Sequence, residues 1–233
     1  MANCWICGAP ATTGEHKIKR SDLRLILPEV SQKKPIFVSG EARKSIPVGG
    51  YNSDQLKFAK SICANCNNSR TQAHDKAWEK LAGALLGKRN LLAPRKVVNF
   101  KSIFGAAVSK ELLNMHLYFI KLFGCQIVEQ SVPIDLRPLA HAITSNSAHP
   151  NVYLTFLSHP SGKLTAGILK VGQKIDRASG RCVVAGWSYI LGPLTVQLLY
   201  AAPPERPDGL IGAWHPRYGR HKIRILALNP SAD

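Results

Sequence analysis

The feature that most constrains this chain is a pair of Cys-x-x-Cys motifs that lie far apart in the sequence. Cys4 and Cys7 form the first motif, and Cys63 and Cys66 form the second, with 55 residues between the inner cysteines. The short spacing within each motif lets both sulfurs reach one metal ion. Two such motifs favour a closed tetrahedral zinc site over redox chemistry, for which one motif is enough. The sequence therefore predicts a structural zinc ion that ties the two motifs together.

The remaining cysteines and the expected cellular compartment are both compatible with a zinc site. Cys125 and Cys182 lie singly in apolar sequence and are expected to be buried core residues. The first residues lack the basic and apolar regions of a secretory signal peptide. The most apolar stretch, residues 103–125, is interrupted by charged and polar side chains, which argues against a membrane span. We therefore expect a cytoplasmic protein, in which paired thiols indicate metal rather than disulfides.

The chain is strongly basic, and its charge is spread along its whole length. It has 31 Lys and Arg against 14 Asp and Glu, a formal net charge of +17 over 233 residues. Residues 1–95 carry a net +9 and residues 96–233 a net +8, so no separate arm holds the excess. Solubility alone needs a net charge of only about 2–8 in magnitude. The excess therefore favours a polyanionic partner, and nucleic acid more than an anionic membrane.

The sequence predicts two segments that meet near residue 92. Within residues 1–92, a strand running into a polar turn is predicted over residues 15–22, followed by an insertion over residues 23–60. Apolar residues at helical spacing predict a helix from Gln72 to Leu86. This first segment contains both cysteine motifs.

Residues 93–233 predict an α+β domain with an antiparallel sheet. A long buried helix is predicted over residues 102–123, with Gly124 as its end, followed by a strand over residues 126–132 and a short helix over residues 135–144. Further strands are predicted over residues 152–158, 164–171, 181–191, 194–201 and 222–228.

The first segment resembles the HNH endonucleases, which have a ββα-metal fold. The resemblance rests on CWICG at residues 4–8, GEHKIKRSD at residues 14–22 and CANCNNSRT at residues 63–71, in that order. In that family a double Cys-x-x-Cys site accompanies Asp/Glu-His near the end of the first strand and His or Asn at the start of the helix. The resemblance covers roughly residues 1–90. It implies an α+β protein in which a zinc-stapled ββα-metal module precedes the second domain.

The resemblance also implies roles for individual residues, which their chemistry suits. Phosphodiester hydrolysis needs an activated water and a cation for the developing charge. His16 would be the general base, because imidazole titrates near neutrality. Glu15 and Asn67 would hold a catalytic Mg²⁺ or Mn²⁺ through their side-chain oxygens. Arg70 would hold the scissile phosphate through two parallel hydrogen bonds.

Three further assignments complete the predicted site. Asn52 is the candidate for the family asparagine that orients the base. His74 is an alternative metal ligand, because it follows Asn67 by seven residues and returns to nearly the same helical face. The expected nucleic-acid contacts of this segment are Lys17, Lys19, Arg20, Lys33 and Lys34.

The sequence departs from the family pattern in two places. The family usually has an apolar residue and a proline soon after the histidine, whereas residues 17–20 here are Lys-Ile-Lys-Arg. The cysteine motifs are also unusually far apart. The additional residues could form a DNA-contacting loop, or the module could have kept zinc and nucleic-acid binding and lost cleavage.

The sequence of the second segment does not suggest a family. None of its histidines is paired at ligand spacing, so each is expected in the core or on the surface; they are His116, His141, His149, His159, His215 and His221. Four basic residues lie near Trp214 and Tyr218 and predict either a phosphate- and base-contacting edge or an ordinary basic edge strand. They are Arg217, Arg220, Lys222 and Arg224.

The sequence thus predicts a metal-dependent endonuclease that hydrolyses DNA phosphodiester bonds, with the second domain selecting or holding the substrate. The alternative is a non-catalytic zinc-knuckle nucleic-acid-binding protein. A nuclease directed at RNA is a third interpretation of the same residues.

Overall fold

The computed structural model describes residues 2–39, 45–158, 166–203, 205 and 212–228. They form a mixed α+β protein. Its helices are α1 (Arg20–Ile26), α2 (Gln72–Gly87), α3 (Lys101–Phe104), α4 (Val108–Glu129) and α5 (Arg137–Thr144). Its strands are β1 (Ile36–Ser39), β2 (Ser45–Val48), β3 (Val97–Asn99), β4 (Val152–Ser158), β5 (Ala166–Ile175), β6 (Cys182–Leu191), β7 (Leu194–Ala201), β8 (Lys222–Arg224) and β9 (Leu226–Ala227). A π-helical turn, Asn65–Arg70, precedes α2.

The largest sheet has five strands in the order β5-β6-β7-β4-β9. Its strands are antiparallel except for the pair β4 and β9, which is parallel. The predicted antiparallel sheet is confirmed, and β4 and β7 have the predicted bounds. The strand predicted over residues 222–228 divides at Ile225 into β8, which pairs with β3, and β9. Ile225 is fully buried, and its backbone forms hydrogen bonds with Arg95 and Lys96. At this residue the chain passes from the small sheet to the large one.

Helix α4 has the predicted length of 22 residues, but it begins and ends six residues later than predicted. It continues through Gly124 to Glu129, so the strand predicted over residues 126–132 is wrong and Gly124 does not end the helix. Burial against the rest of the core keeps these β-forming residues helical, an instance of tertiary packing overriding local propensity. The start also differs, because α3 and a 3₁₀ turn at Gly105–Ala107 precede α4, with Gly105 at a φ of 64°.

The segment around residues 15–22 is also not a regular strand. Its backbone pairs with residues 57–62 only through isolated bridges, Thr13 with Ile62 and His16 with Lys57. Helix α1 then begins at Arg20, where a polar turn was predicted. Asp22 attaches this helix to the core, because its buried carboxylate accepts hydrogen bonds from Trp78 Nε1 at 2.6 Å and the Tyr189 hydroxyl at 2.5 Å. The predicted insertion contains most of α1 and the β1–β2 hairpin.

The centre of the core is Trp78 of α2. Its ring stacks on Tyr118 with centroids 5.7 Å apart, and it meets the edges of Phe119 and Tyr189. Residues of both predicted segments therefore belong to one hydrophobic core, and a domain boundary at residue 92 stays a prediction. No helix in the described ranges has the length and apolar character needed to cross a membrane.

Several histidines are buried in the neutral state. Burial lowers the pKa of His116 to about 3 and the pKa values of His74 and His149 to about 4. His116 Nε2 donates to the Val152 carbonyl at 3.0 Å. His215 is buried beside His116, His141 is exposed, and His159 lies outside the described residues.

These histidines predict that the free energy of unfolding falls as the pH drops below about 6.5. His74, His116 and His149 stay neutral when folded, so between pH 6 and 5 the unfolded state binds about three more protons. Burial raises the pKa of Asp22 to about 6, which offsets about one of these protons. We expect a net loss of about 3 kcal/mol per pH unit near pH 5, measured by urea unfolding from pH 7.5 to 5.

Two glutamine variants separate this effect from general acid sensitivity. His116→Gln keeps a donor for the Val152 carbonyl but removes the titrating ring, so the slope should become shallower by about one proton. His141→Gln, at the exposed position, should leave the slope unchanged. A stability that stays flat from pH 7 to 5 would show that the buried histidines do not titrate as described.

Candidate metal centre and the adjacent cleft

The four cysteines of the two motifs come together in space. The Sγ atoms of Cys4, Cys7, Cys63 and Cys66 all lie within 4.8 Å of one another, and those of Cys7 and Cys63 are 3.6 Å apart. A tetrahedral zinc ion with Zn–S bonds of about 2.3 Å places its sulfurs about 3.8 Å apart. All four thiols are free of disulfides. The cluster could therefore hold a metal ion such as zinc.

Local backbone geometry aims these sulfurs at one point. In the first motif, Gly8 has a φ of 78° and its N–H bonds to the Cys4 carbonyl, which closes a tight turn. In the second, the Cys66 N–H donates to Cys63 Sγ at 3.4 Å, and this bond lowers the pKa of Cys63 to about 7. Arg70 Nη1 donates to Cys66 Sγ at 3.5 Å. These N–H···S contacts favour thiolates, the form that binds metal.

The first cysteine motif packs directly on α4 through Trp5. A Cβ atom on Gly124 would lie 2.2 Å from the nearest atom of the Trp5 ring, so only glycine permits this approach. The sequence suggested a helix end at Gly124, but its function is to admit the indole. The contact joins the cysteine cluster to the longest helix of the second segment.

Gly124→Ala is expected to destabilise the protein, by about 1–3 kcal/mol or more, because the new methyl group must displace Trp5 or α4. Gly83→Ala is the matched control. Gly83 is also in a helix, and nothing lies within 4 Å of the position that a Cβ atom would take there, so alanine should be neutral or stabilise by up to about 1 kcal/mol. Denaturant midpoints measure both. Equal effects of the two substitutions would disprove the packing role.

A cleft of about 920 Å³ lies beside the cysteine cluster. It brings together three residues that the sequence assigned to catalysis, Glu15, His16 and Asn67. Its other polar lining residues are Thr12, Thr13, Lys19, Arg20, Ser21, Arg24, Asp54, Lys57, Lys60, Asn68, Asp75 and Glu79. A histidine, several carboxylates and a basic rim are thus collected in one concave surface.

His16 is oriented by a backbone group. Its Nε2 lies 3.1 Å from the Tyr51 carbonyl oxygen, which can only accept, so Nε2 carries the proton and Nδ1 keeps a lone pair. Burial lowers the pKa of His16, and the bond to Tyr51 partly offsets this effect. His16 is therefore neutral at physiological pH and can accept a proton.

Glu15 belongs to a buried network of charges. The Lys121 ammonium of α4 is fully buried and lies 2.8 Å from Glu15 Oε2 and 2.8 Å from Asp75 Oδ1. Glu15 Oε1 accepts the His16 backbone N–H at 3.2 Å. Lys19 Nζ adds a contact of 3.4 Å to Asp75. Burial alone would lower the pKa of Lys121, but the two carboxylates raise it above its usual range. Lys121 is therefore a permanent internal cation between two cleft carboxylates.

The other assigned residues lie outside the cleft lining. Asn52 Oδ1 accepts from Arg20 Nη1 at 3.1 Å, while the orienting bond to His16 comes from the neighbouring Tyr51. Arg70 bonds to the cysteine cluster. His74 is buried away from the cleft wall, next to Asn146. Asp75, the next residue along α2, lines the cleft instead.

Some of the basic residues predicted to contact nucleic acid form ion pairs with carboxylates, and others do not. Lys17 pairs with Glu129 at 2.7 Å, Lys19 with Asp75 and Glu79, and Lys34 with Glu29. Lys33 is exposed, and Arg20 lines the cleft. Three cleft residues that the sequence did not single out extend the basic rim: Arg24, Lys57 and Lys60.

Sequence reasoning missed Asp75 and Lys121. Asp75 follows Asn67 by eight residues, about 80° beyond two full α-helical turns, so regular helical spacing did not point to it. Lys121 is flanked by apolar residues on both sides in α4. Such a lysine commonly signals a buried ion pair, but its partners lie in a distant part of the sequence.

Comparison with known proteins finds no matching family model, no matching curated protein and no matching solved structure. The geometry of the cluster and the cleft is therefore the basis for a functional proposal.

Proposed function

We propose that the protein is a metal-dependent endonuclease of the HNH type that hydrolyses phosphodiester bonds in DNA. The observation that carries the proposal is the shared cleft of Glu15, His16 and Asn67 with a basic rim. The antiparallel contact of residues 13–17 with residues 56–62, followed by α2, agrees with a ββα-metal arrangement interrupted by an insertion. The four-cysteine cluster would hold zinc in the same module, and a reducing cytoplasm would keep its thiols free.

His16 would act as the general base. Its Nε2–H is held by the Tyr51 carbonyl, which leaves Nδ1 to take a proton from the attacking water. Its lowered pKa keeps the ring neutral at pH 7. The positive side chains of Arg20, Arg24 and Lys60 would attract the nucleic-acid backbone to the cleft.

Glu15, Asn67 and Asp75 offer oxygen ligands suited to Mg²⁺ or Mn²⁺. Such a cation, when bound, would stabilise the negative charge that develops on the phosphate. Each carboxylate oxygen has two lone pairs, so Glu15 can contact Lys121 and still present an oxygen to the cleft. The Lys121 charge would weaken cation binding by repulsion, and we therefore expect modest affinity.

The same lysine favours a second candidate function, that of a non-catalytic zinc-containing nucleic-acid-binding protein. Lys121 forms ion pairs with both Glu15 and Asp75 without any metal. A cleft whose carboxylates are already paired could bind nucleic acid through its rim and perform no chemistry.

Single-turnover cleavage of labelled duplex DNA across a range of Mn²⁺ concentrations separates the two candidates. Mn²⁺ occupancy is measured in parallel by electron paramagnetic resonance on zinc-loaded protein. The nuclease proposal predicts that cleavage rises with the occupancy of one site, and that Glu15→Gln shifts both curves to higher Mn²⁺. DNA binding without Mn²⁺ occupancy or cleavage would support the second candidate. An RNA of the same sequence, tested alongside, determines the preferred substrate.

A further inference from the structure

The small antiparallel sheet of β3 and β8 unites two basic stretches that are far apart in the sequence. Val97 pairs with Arg224 and Asn99 with Lys222, and the four side chains are exposed, whereas Val98 and Ile223 are buried. The ladder continues at both ends, because the Arg95 N–H bonds to the Ile225 carbonyl and the Phe100 N–H bonds to the His221 carbonyl. We define the β3–β8 ribbon by the exposed basic residues on and beside it: Arg95, Lys96, Lys101, Arg220, Lys222 and Arg224.

The positive charges of the β3–β8 ribbon are not paired with carboxylates among the described residues. Residues 94–110 and 212–228 contain no aspartate or glutamate. Among the described residues, none of the six basic side chains forms an ion pair. Lys17, Lys19 and Lys34 of the first segment, by contrast, are paired with carboxylates. Clustered cations that no carboxylate neutralises repel one another, and an anionic ligand would relieve this repulsion.

We propose that the β3–β8 ribbon is a second nucleic-acid-binding surface, which contacts the phosphate backbone of the substrate outside the cleft. Lys222 and Arg224 project from one face of a strand about 7 Å apart. Duplex DNA carries one negative charge per about 3.4 Å of each strand, so each side chain can meet its own phosphate. Exposed Tyr218, with the Arg220 guanidinium 5.5 Å from its ring centroid, adds an aromatic surface beside these charges.

Helix α2 connects the ribbon to the cleft. Asp75 lines the cleft, and Lys80, five residues later, lies over the Phe104 ring at 5.6 Å. Phe104 ends α3, the short helix that begins with Lys101 of the ribbon. Five residues of helix span about 7.5 Å, whereas one turn of duplex DNA is about 34 Å long. Along the axis of α2, the residues that lead to the two surfaces are therefore separated by much less than one turn of a duplex. This inference rests on nucleic acid being the substrate in the proposed function.

The test compares two triple variants that lose the same charge. The ribbon variant is Lys101→Gln, Lys222→Gln and Arg224→Gln. The control variant is Lys170→Gln, Arg177→Gln and Arg181→Gln, on and beside the β5–β6 hairpin at the opposite edge of the large sheet. Binding of a labelled duplex of about three helical turns is followed by fluorescence anisotropy between 50 and 200 mM salt (roughly the range over which phosphate contacts are resolved). Zinc-loaded protein is used without added Mg²⁺ or Mn²⁺, and thermal unfolding verifies that both variants are folded.

The ribbon variant should bind about ten-fold or more weakly near 100 mM salt, and its salt slope should fall by about two to three units, because each lost phosphate contact removes roughly one. The control variant should change the slope by less than about one unit. Equal losses in the two variants would overturn the proposal. Ribbon-dependent binding to phosphatidylserine vesicles that exceeds binding to DNA would assign the ribbon to a membrane surface and also overturn it.

The result is independent of cleavage. If the wild-type protein does not cut DNA but the ribbon variant binds it selectively more weakly, the nuclease proposal fails and the ribbon proposal stands. If the protein cuts DNA and the two variants bind alike, the ribbon proposal fails alone.

Discussion

Cys66→Ser is expected to abolish metal binding and to unfold the first segment of the protein. Cys66 is fully buried, and its sulfur belongs to the cluster that joins residues 4–7 to the start of α2. Burial raises the pKa of the Cys66 thiol when no metal is bound, whereas a metal ion stabilises its thiolate. Structural zinc sites contribute on the order of 10 kcal/mol to folding in small domains. We expect a loss of at least about 4 kcal/mol in the free energy of unfolding.

Metal analysis and denaturant unfolding measure this effect together. Purified wild-type protein should contain about one zinc per chain, and a strong chelator should reproduce the loss of stability seen in Cys66→Ser. Cys182→Ser is the matched control. Cys182 is also buried but lies in β6, outside the cluster, and its Sγ donates to the Val184 carbonyl, as a serine hydroxyl can. Protein that folds equally well without metal would refute the structural role of the cluster.

His16→Ala is expected to reduce the rate of DNA cleavage by about 10²–10⁴-fold, the usual contribution of a general base. Zinc content and DNA affinity should be unchanged, because His16 does not belong to the cysteine cluster or to the basic rim of the cleft. In the wild-type protein, cleavage should require neutral His16. Burial lowers the pKa of His16. As the pH is raised, the cleavage rate should therefore increase to a plateau, with a midpoint below the ordinary histidine pKa of about 6.5.

Two variants control this experiment. His141→Ala removes an exposed histidine of α5 and should cleave at the wild-type rate. Glu15→Gln keeps a polar contact to Lys121 but weakens the proposed cation site, so raised Mn²⁺ should restore part of its activity. Raised Mn²⁺ should not rescue His16→Ala. If His16→Ala cleaves like the wild-type protein, His16 is not the base.

Elements with strong local signals were predictable from the sequence. The cysteine cluster follows from two short motifs whose spacing permits little else. Helix α2 follows from regular apolar periodicity, and strands β4 and β7 follow from runs of β-forming residues bounded by proline and glycine. Glu15, His16 and Asn67 line one cleft, and the resemblance to HNH nucleases suggested this grouping. Their catalytic roles stay predictions.

Features that depend on distant partners were not predictable. The bond that orients His16 comes from a backbone carbonyl, at Tyr51, which has no side-chain signature. Lys121 bridges Glu15 and Asp75 across residues that are remote in sequence. Gly124 had a plausible local interpretation as a helix end, and only the packing of Trp5 reveals its role. In each case, tertiary contact determined an outcome that local propensity leaves open.

The β3–β8 ribbon was predictable from the sequence only in part. The sequence identified Arg217, Arg220, Lys222 and Arg224 as either a binding edge or an ordinary basic strand. The pairing of β8 with β3 adds the basic residues around positions 95–101, which no pattern in the sequence connects to the C-terminal stretch. Both strands are only three residues long, and strands this short give little periodicity to read.

Conversion of supercoiled plasmid to nicked or linear DNA tests the central claim most directly. Wild-type protein and His16→Ala, purified side by side, are incubated with plasmid in Mg²⁺ or Mn²⁺ and, in parallel, in EDTA. The account predicts cleavage by the wild-type protein with either cation, none in EDTA, and at least a hundred-fold slower cleavage by His16→Ala (about the lower limit for loss of a general base). Intact plasmid in every wild-type reaction, or equal cleavage by both proteins, would contradict it.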